Sequence, residues 1–101
     1  MIRHHVFFWL KSSGDVVARD RLIAGLRKLA DIDLVRELHV GTAAGTGQRD
    51  VVDQSFDVSE LMYFNSANDQ DAYQLHPLHI EFVRECEQLW DKVVVYDTVD
   101  V

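Results

Sequence analysis

The sequence predicts an α+β domain of element order β-α-β-β-α-β, in which a four-stranded antiparallel sheet is covered by helices on one face. Three observations carry this reading. Four segments rich in β-branched and aromatic residues read as strands: Ile2 to Lys11, Leu34 to about Ala43, Phe56 to Phe64, and Val93 to Tyr96. Between them lie stretches with apolar residues at helical spacing. The only proline stands in His76-Pro77, where the residue before proline is pushed out of helical geometry while proline suits the first helical position.

In the first strand both alternating sets are apolar, Val6, Phe8 and Leu10 on one side and Phe7 and Trp9 on the other, so it is expected to be covered on both faces. Ser12 to Asp15 break the pattern. Ala18, Leu22, Leu26 and Leu29 then describe an amphipathic helix ending near Asp31. The second strand is the most polar of the four and reads as a candidate edge. The loop that follows, Gly41 to Asp50, holds three glycines but lacks the lysine, and the Ser/Thr directly after it, that a phosphate loop requires, so it reads as a flexible connection.

Phe56, Val58, Met62 and Phe64 share one face of the third strand, with Glu60 interrupting them. Asn68 to Leu75 reads as a short helix. The helix opened by Pro77 is expected to run to Trp90 or Asp91, with His79, Phe82, Val83, Cys86, Leu89 and Trp90 on its apolar stripe.

All 101 residues are expected to form one domain, since 48% hydrophobic and 27% charged residues suffice for one small core. Ten basic against 17 acidic residues give a net charge of −7, and the basic residues are scattered. Nucleic acid and membrane are therefore not expected as partners. One cysteine, Cys86, permits no internal disulfide; on the apolar stripe it reads as a small filler, and the compartment expected is the cytoplasm. No metal site is expected, because His76 and His79 straddle the proline break.

Two helices cover one face of such a sheet. The other would carry Phe7, Trp9, Leu61, Tyr63, Val94 and Tyr96, and at roughly 1.5 to 3 kcal/mol per large side chain its exposure would forfeit on the order of 10 kcal/mol. A homodimer joined sheet to sheet is expected to cover it. The aromatic residues then divide into Phe8, Phe56, Phe64, Phe82 and Trp90 towards the helices, Phe7, Trp9, Tyr63 and Tyr96 towards the second subunit, and Tyr73.

The candidate chemistry centres on Tyr73-Gln-Leu-His76-Pro77-Leu-His79-Ile-Glu-Phe82. His79 falls in the first turn of its helix, where unpaired N–H groups and the positive dipole end disfavour an imidazolium, and desolvation acts in the same direction. Its neutral ring can accept a proton, and Tyr73, one turn before the break, can donate to a substrate oxygen. The plainer alternative is that His79 bonds a strand carbonyl and Tyr73 packs with its hydroxyl in water. His4 shares its parity with Val6 and Phe8, and in the proposed sheet the first and third strands are neighbours. His4 and Glu60 are thus placed to look into the space His79 overlooks, unless a bulge turns Glu60 to solvent. His76 reads first as a helix cap, and His5, of opposite parity, as a residue of the dimer face.

These residues resemble a known family. The opening His5-Val-Phe-Phe-Trp-Leu-Lys11, the Tyr73-x-x-His76-Pro77-x-His79-x-x-Phe82 signature and the closing Leu89-Trp90-Asp-Lys-Val-Val-Val-Tyr-Asp97 are similar to the stress-responsive A/B barrel (Dabb) domains of the dimeric α+β barrel superfamily. The resemblance implies a ferredoxin-like subunit that dimerises through its sheets into a barrel, with a small apolar pocket between sheet and helices. Plant polyketide-cyclising members use the tyrosine and second histidine of the signature as acid/base groups, which correspond to Tyr73 and His79; His4 matches a pocket histidine of their opening strand. Where they carry another pocket histidine this chain has Val58, and Glu60 adds a carboxylate.

The ligand-binding set expected from this is His4, Val6, Phe8, Val58 and Glu60, with Met62, His76, Phe82, Val93 and Val95. The function implied is cofactor-independent acid/base chemistry, of cyclase, isomerase or lyase type, on a hydrophobic carbonyl-bearing small molecule. The alternative is a non-catalytic ligand-binding or stress-response dimer. Related barrels include cofactor-free monooxygenases and haem-binding proteins.

Overall fold

The structure, a computed structural model, describes residues 1–101. Its elements are β1 (Ile2–Leu10), α1 (Val16–Lys28), β2 (Glu37–Gly41), β3 (Val58–Phe64), α2 (Ala67–Gln74), α3 (Pro77–Cys86) and β4 (Trp90–Val99). Short 3-10 turns at Leu29–Asp31 and Glu87–Leu89 follow α1 and α3. The strands form one antiparallel sheet of order β2-β3-β1-β4, with β1 and β3 as central neighbours and β2 at an edge. This is the ferredoxin-like arrangement that the resemblance implies.

Strict alternation governs β1 and β3. His4, Val6, Phe8 and Leu10, and Val58, Glu60, Met62 and Phe64, are buried, while the residues between them are half-buried. Because side chains alternate faces at every residue, the buried sets form the floor on which α1, α2 and α3 rest. Asp15 caps α1 by accepting from the Ala18 N–H at 3.1 Å, and Leu22 and Leu26 of that helix are fully buried in the same core as Met62, Phe64 and Phe82.

Several boundaries differ from the sequence reading. The second strand begins at Glu37 instead of Leu34, since the Val35 N–H bonds back to the Ile32 carbonyl and turns the chain. The short helix starts one residue early, at Ala67, behind a Ser66 cap. The last helix stops at Cys86, because Trp90 is already paired with Leu10 as the first residue of β4. That strand then extends to Val99, well past Tyr96.

Phe56 is a correction of another kind. It precedes β3, where the Asp57 N–H donates to the Phe8 carbonyl and the Asp57 carboxylate accepts from the Leu10 N–H at 2.8 Å. That turn breaks the strand parity and sets the Phe56 ring edge-on to Phe7 at 4.9 Å, on the face away from the helices. Phe7, Trp9, Val94 and Tyr96 line a groove with it there, and Lys92 sits over the Trp9 ring at 4.5 Å.

One close approach tests the helix layer. A Cβ on Gly25 of α1 would meet the Cys86 Sγ at 2.7 Å and the Phe82 Cδ1 at 3.3 Å, so only glycine allows α1 to lie this near α3. Alanine gains about 1 kcal/mol of helix propensity but overpacks a filled site at a cost of about 1 to 3 kcal/mol. Gly25→Ala is therefore expected to lower the urea midpoint, and adding Cys86→Ala to recover part of the loss. A neutral Gly25→Ala would mean that the two helices stand further apart.

Candidate active site

The floor of the site follows from strand register. Val6 lies opposite Glu60, and His4 lies opposite Met62 on one side and Asp97 on the other, which brings two ionisable side chains onto the helix-covered face. His4 is 5% and Glu60 2% exposed, so both are withdrawn from water. His4 is held: its Nδ1 is 2.6 Å from Asp97 Oδ1, with the Gln70 side-chain amide 3.0 Å away. A carboxylate can only accept, so Nδ1 carries a proton, and Nε2 points inwards.

That Nε2 is 3.9 Å from Glu60 Oε1, beyond hydrogen-bond reach. Glu60 Oε1 is buried with no hydrogen-bond partner in the chain. With nothing to offset the loss of hydration, burial pushes the Glu60 carboxyl up to about 8, and near neutral pH it is an undissociated acid. The bulge that would have turned Glu60 to solvent does not form.

The helices supply the opposite wall. Ser66 caps α2 by accepting from the Asp69 N–H at 3.1 Å, and Tyr73 at the end of that helix is 1% exposed. Its ring centroid is 5.0 Å from Phe64, 6.1 Å from His4 and 4.7 Å from His79. Burial first, and the nearby Glu60 charge second, push the Tyr73 phenol up, so it is a donor and not a phenolate. The break between the helices is fixed by His76, whose Nδ1 accepts from the Leu78 N–H at 3.1 Å, and by Pro77 behind it. His79 thus sits in the first turn of α3, with no acidic residue there to favour its cation. Burial lowers its pKa, the Gln74 carbonyl opposes this, and a charge on His4 lowers it further. The neutral imidazole expected from its position is what burial enforces.

Between floor and wall lies a cavity of about 160 Å³, lined by His4, Val6, Phe8, Glu60, Tyr73, Gln74, His79, Phe82, Val83, Trp90, Val93 and Val95. Nine of the residues singled out from sequence converge on it. Three do not. Val58 and Met62 are fully buried in the core beside Glu60; α1 packs over β3 and fills that side, leaving space only above β1 and β4. His76 spends its ring nitrogen on its own helix cap.

Gln74, Val83 and Trp90 line the cavity, and Asp97 and Gln70 hold His4, without having been foreseen as site residues. Val83 and Trp90 were legible on the stripe that carries His79 and Phe82. Asp97 becomes visible only once the β1–β4 register is known. His5 is on the outer face, its ring 4.3 Å from Phe7, and burial lowers its pKa. Cys86 is buried in the core, and burial raises its thiol pKa, as befits a filler.

Comparison with known proteins supports the fold. The family model described as the Stress Responsive A/B Barrel Domain, Dabb, matches residues 2–100. The chain belongs to the Dabb family. Among solved structures, this Dabb chain resembles a Dabb-family protein with a ferredoxin-like fold from Mesorhizobium loti, at 24% identity and a TM-score of 0.80, covering 99% of this chain and 96% of that one. It also resembles the hydroxynitrile lyase of Passiflora edulis, at 28% identity and a TM-score of 0.82 over 99% and 93% of the two chains. A dimeric ferredoxin-like protein of unknown function from Thermobifida fusca follows at 20% identity and a TM-score of 0.77, over 96% and 88%. A search of curated proteins gives no significant match. No helix of the Dabb chain is long and apolar enough to cross a membrane.

The buried carboxyl has a measurable consequence. Its folded pKa of about 8 lies above the ordinary value of 4.5, so the folded state binds more protons than the unfolded state between those limits. The contribution is full below 4.5 and is lost as pH rises towards 8, with a slope approaching about 1.4 kcal/mol per pH unit. Glu60→Gln, which cannot ionise, is expected to flatten this fall and to be the more stable protein at pH 8. Parallel stability–pH curves for the two proteins would place Glu60 in water.

Proposed function

We propose that this Dabb chain is a homodimeric, cofactor-independent enzyme whose cavity takes a compact hydrophobic molecule bearing a carbonyl group. His79 removes a proton beside that carbonyl, and Tyr73 donates a hydrogen bond to the oxygen on which charge develops. The observation that carries this reading is the meeting of Tyr73 and His79, ring centroids 4.7 Å apart, on the wall of one apolar cavity. A buried phenol held as a donor beside a histidine held neutral is a matched acid/base pair. The 28%-identical hydroxynitrile lyase supports a lyase on this fold.

The dimer follows from the outer sheet face. Phe7, Leu61, Tyr63 and Val94 are half-buried there, and Tyr96 is exposed, while neighbours of the same fold are dimeric. A second copy laid sheet to sheet covers this face, and each subunit keeps its own cavity behind its own helices. The single unpaired Cys86 suits a reducing cytoplasm, the compartment that completes this reading.

One observation favours a second reading. A cavity of about 160 Å³ is smaller than the roughly 300 Å³ at which ordinary ligand pockets begin, which favours a non-catalytic stress-response dimer whose interior is largely filled. Two measurements separate the readings. Light scattering is expected to give twice the 11.6 kDa chain mass, and an 11.6 kDa species at micromolar concentration would contradict the dimer. In deuterium oxide with a panel of small ketones, the protein is expected to accelerate exchange at the carbon beside the carbonyl, and His79→Ala and Tyr73→Phe to lose at least about 100-fold of that acceleration as intact dimers. Ketone binding without acceleration assigns the cavity to the non-catalytic reading.

A further inference from the structure

The outer sheet face carries two histidines that stand in one row across the strands. His39 of β2 lies opposite Leu61 of β3, Leu61 lies opposite His5 of β1, and His5 lies opposite Tyr96 of β4. On the edge strand His39 has a counter-ion, with its Nε2 3.0 Å from Glu37 Oε2 and both side chains largely in water. His5, on the central strand, is half-buried and has none. Its ring is 4.3 Å from Phe7. The outward residues flanking it are Ser59, Leu61 and Tyr63 on β3 and Val94, Tyr96 and Thr98 on β4, none of them acidic. The fixed cations of the face are already engaged, Arg3 with Asp100 and Lys92 over the Trp9 ring beside Asp53.

A cation at His5 therefore has water as its only support. Burial first, and a charge on His4 behind it second, lower the His5 pKa from the ordinary 6.5 even in the single subunit, and a second copy laid on this face takes the remaining water away. In a symmetric pair the same patch serves both partners, so a proton on His5 enters the interface twice. We propose that the sheet-to-sheet dimer is acid-labile, with His5 as its pH-sensitive contact and His39, already paired with Glu37, as a bystander. This rests on the dimer reading above and adds its regulation. The sign follows from linkage: the dimer binds fewer protons than two separated subunits, so its affinity is full at neutral pH and falls as the pH drops through the pKa of His5 in the free subunit.

Sedimentation equilibrium of the full chain at about pH 7.5 and about pH 5 tests this, with His5→Gln and His39→Gln as variants. The dimer Kd is expected to weaken at least about tenfold at the lower pH, two linked histidines allowing up to about 100-fold per pH unit. His5→Gln, which cannot take up the proton, keeps the dimer in acid, and His39→Gln leaves the acid dissociation as it is. A second readout needs no variant: followed by NMR, the His5 ring titration is expected to move to lower pH as protein concentration rises, because association disfavours the cation. A dimer of equal affinity at both pH values, a loss in acid that His5→Gln does not prevent, or a His5 midpoint independent of concentration overturns the proposal and leaves the dimer standing. An 11.6 kDa species at both pH values overturns it together with the dimer reading.

Discussion

An unpaired carboxyl on the closed side of a sheet is costly, and the candidate site is arranged around that cost. Glu60 projects to the helix side because β3 pairs with β1 in the register that sets it against Val6. A one-residue slip would send it to the other face and would send His4's neighbour Met62 with it. An ionised carboxylate without partners would cost several kcal/mol at that depth, so the group takes up a proton instead. The same withdrawal from water that raises Glu60 raises Tyr73 and lowers His79. One constraint thus fixes three protonation states in the direction that acid/base chemistry near neutral pH requires.

The second constraint is that β1 is used on both faces. Its inner residues His4, Val6 and Phe8 floor the cavity, and its outer residues His5, Phe7 and Trp9 lie under no helix. Phe56, Phe7 and Tyr96 cluster there. Covering that cluster with a second copy leaves the cavity untouched, because the two lie on opposite sides of the same sheet. In the proposed dimer, stability gained at the outer face and the chemistry proposed behind the helices are therefore separable, and variants at Phe7 or Tyr96 act on the first without entering the second.

Much of this was legible because the periodicities are clean. Alternation in β1 and β3 placed His4 and Glu60 on the inner face, and the Pro77 break placed His79 in a first helical turn facing the sheet. Sequence reasoning failed where tertiary contacts override local pattern. Phe56 has the right parity for the inner face, yet the Asp57 contacts to Phe8 and Leu10 end the strand before it. Val58 and Met62 flank Glu60 with the same parity and are still excluded from the cavity, because α1 fills the space above them. Asp97 is the clearest omission: nothing along the chain marks it as the partner of His4, which depends on pairing residues at opposite ends of the sequence.

What most directly decides the account is whether Glu60 is buried, unpaired and undissociated. Carbon-13 NMR of the labelled side-chain carboxyl, followed through a pH titration of the folded protein, reports this at the residue itself, with Glu60→Gln assigning the signal. The account predicts a midpoint near 8, far above the ordinary 4.5. A midpoint close to 4.5 would show a solvated or paired carboxylate and would contradict the protonation pattern on which the site depends.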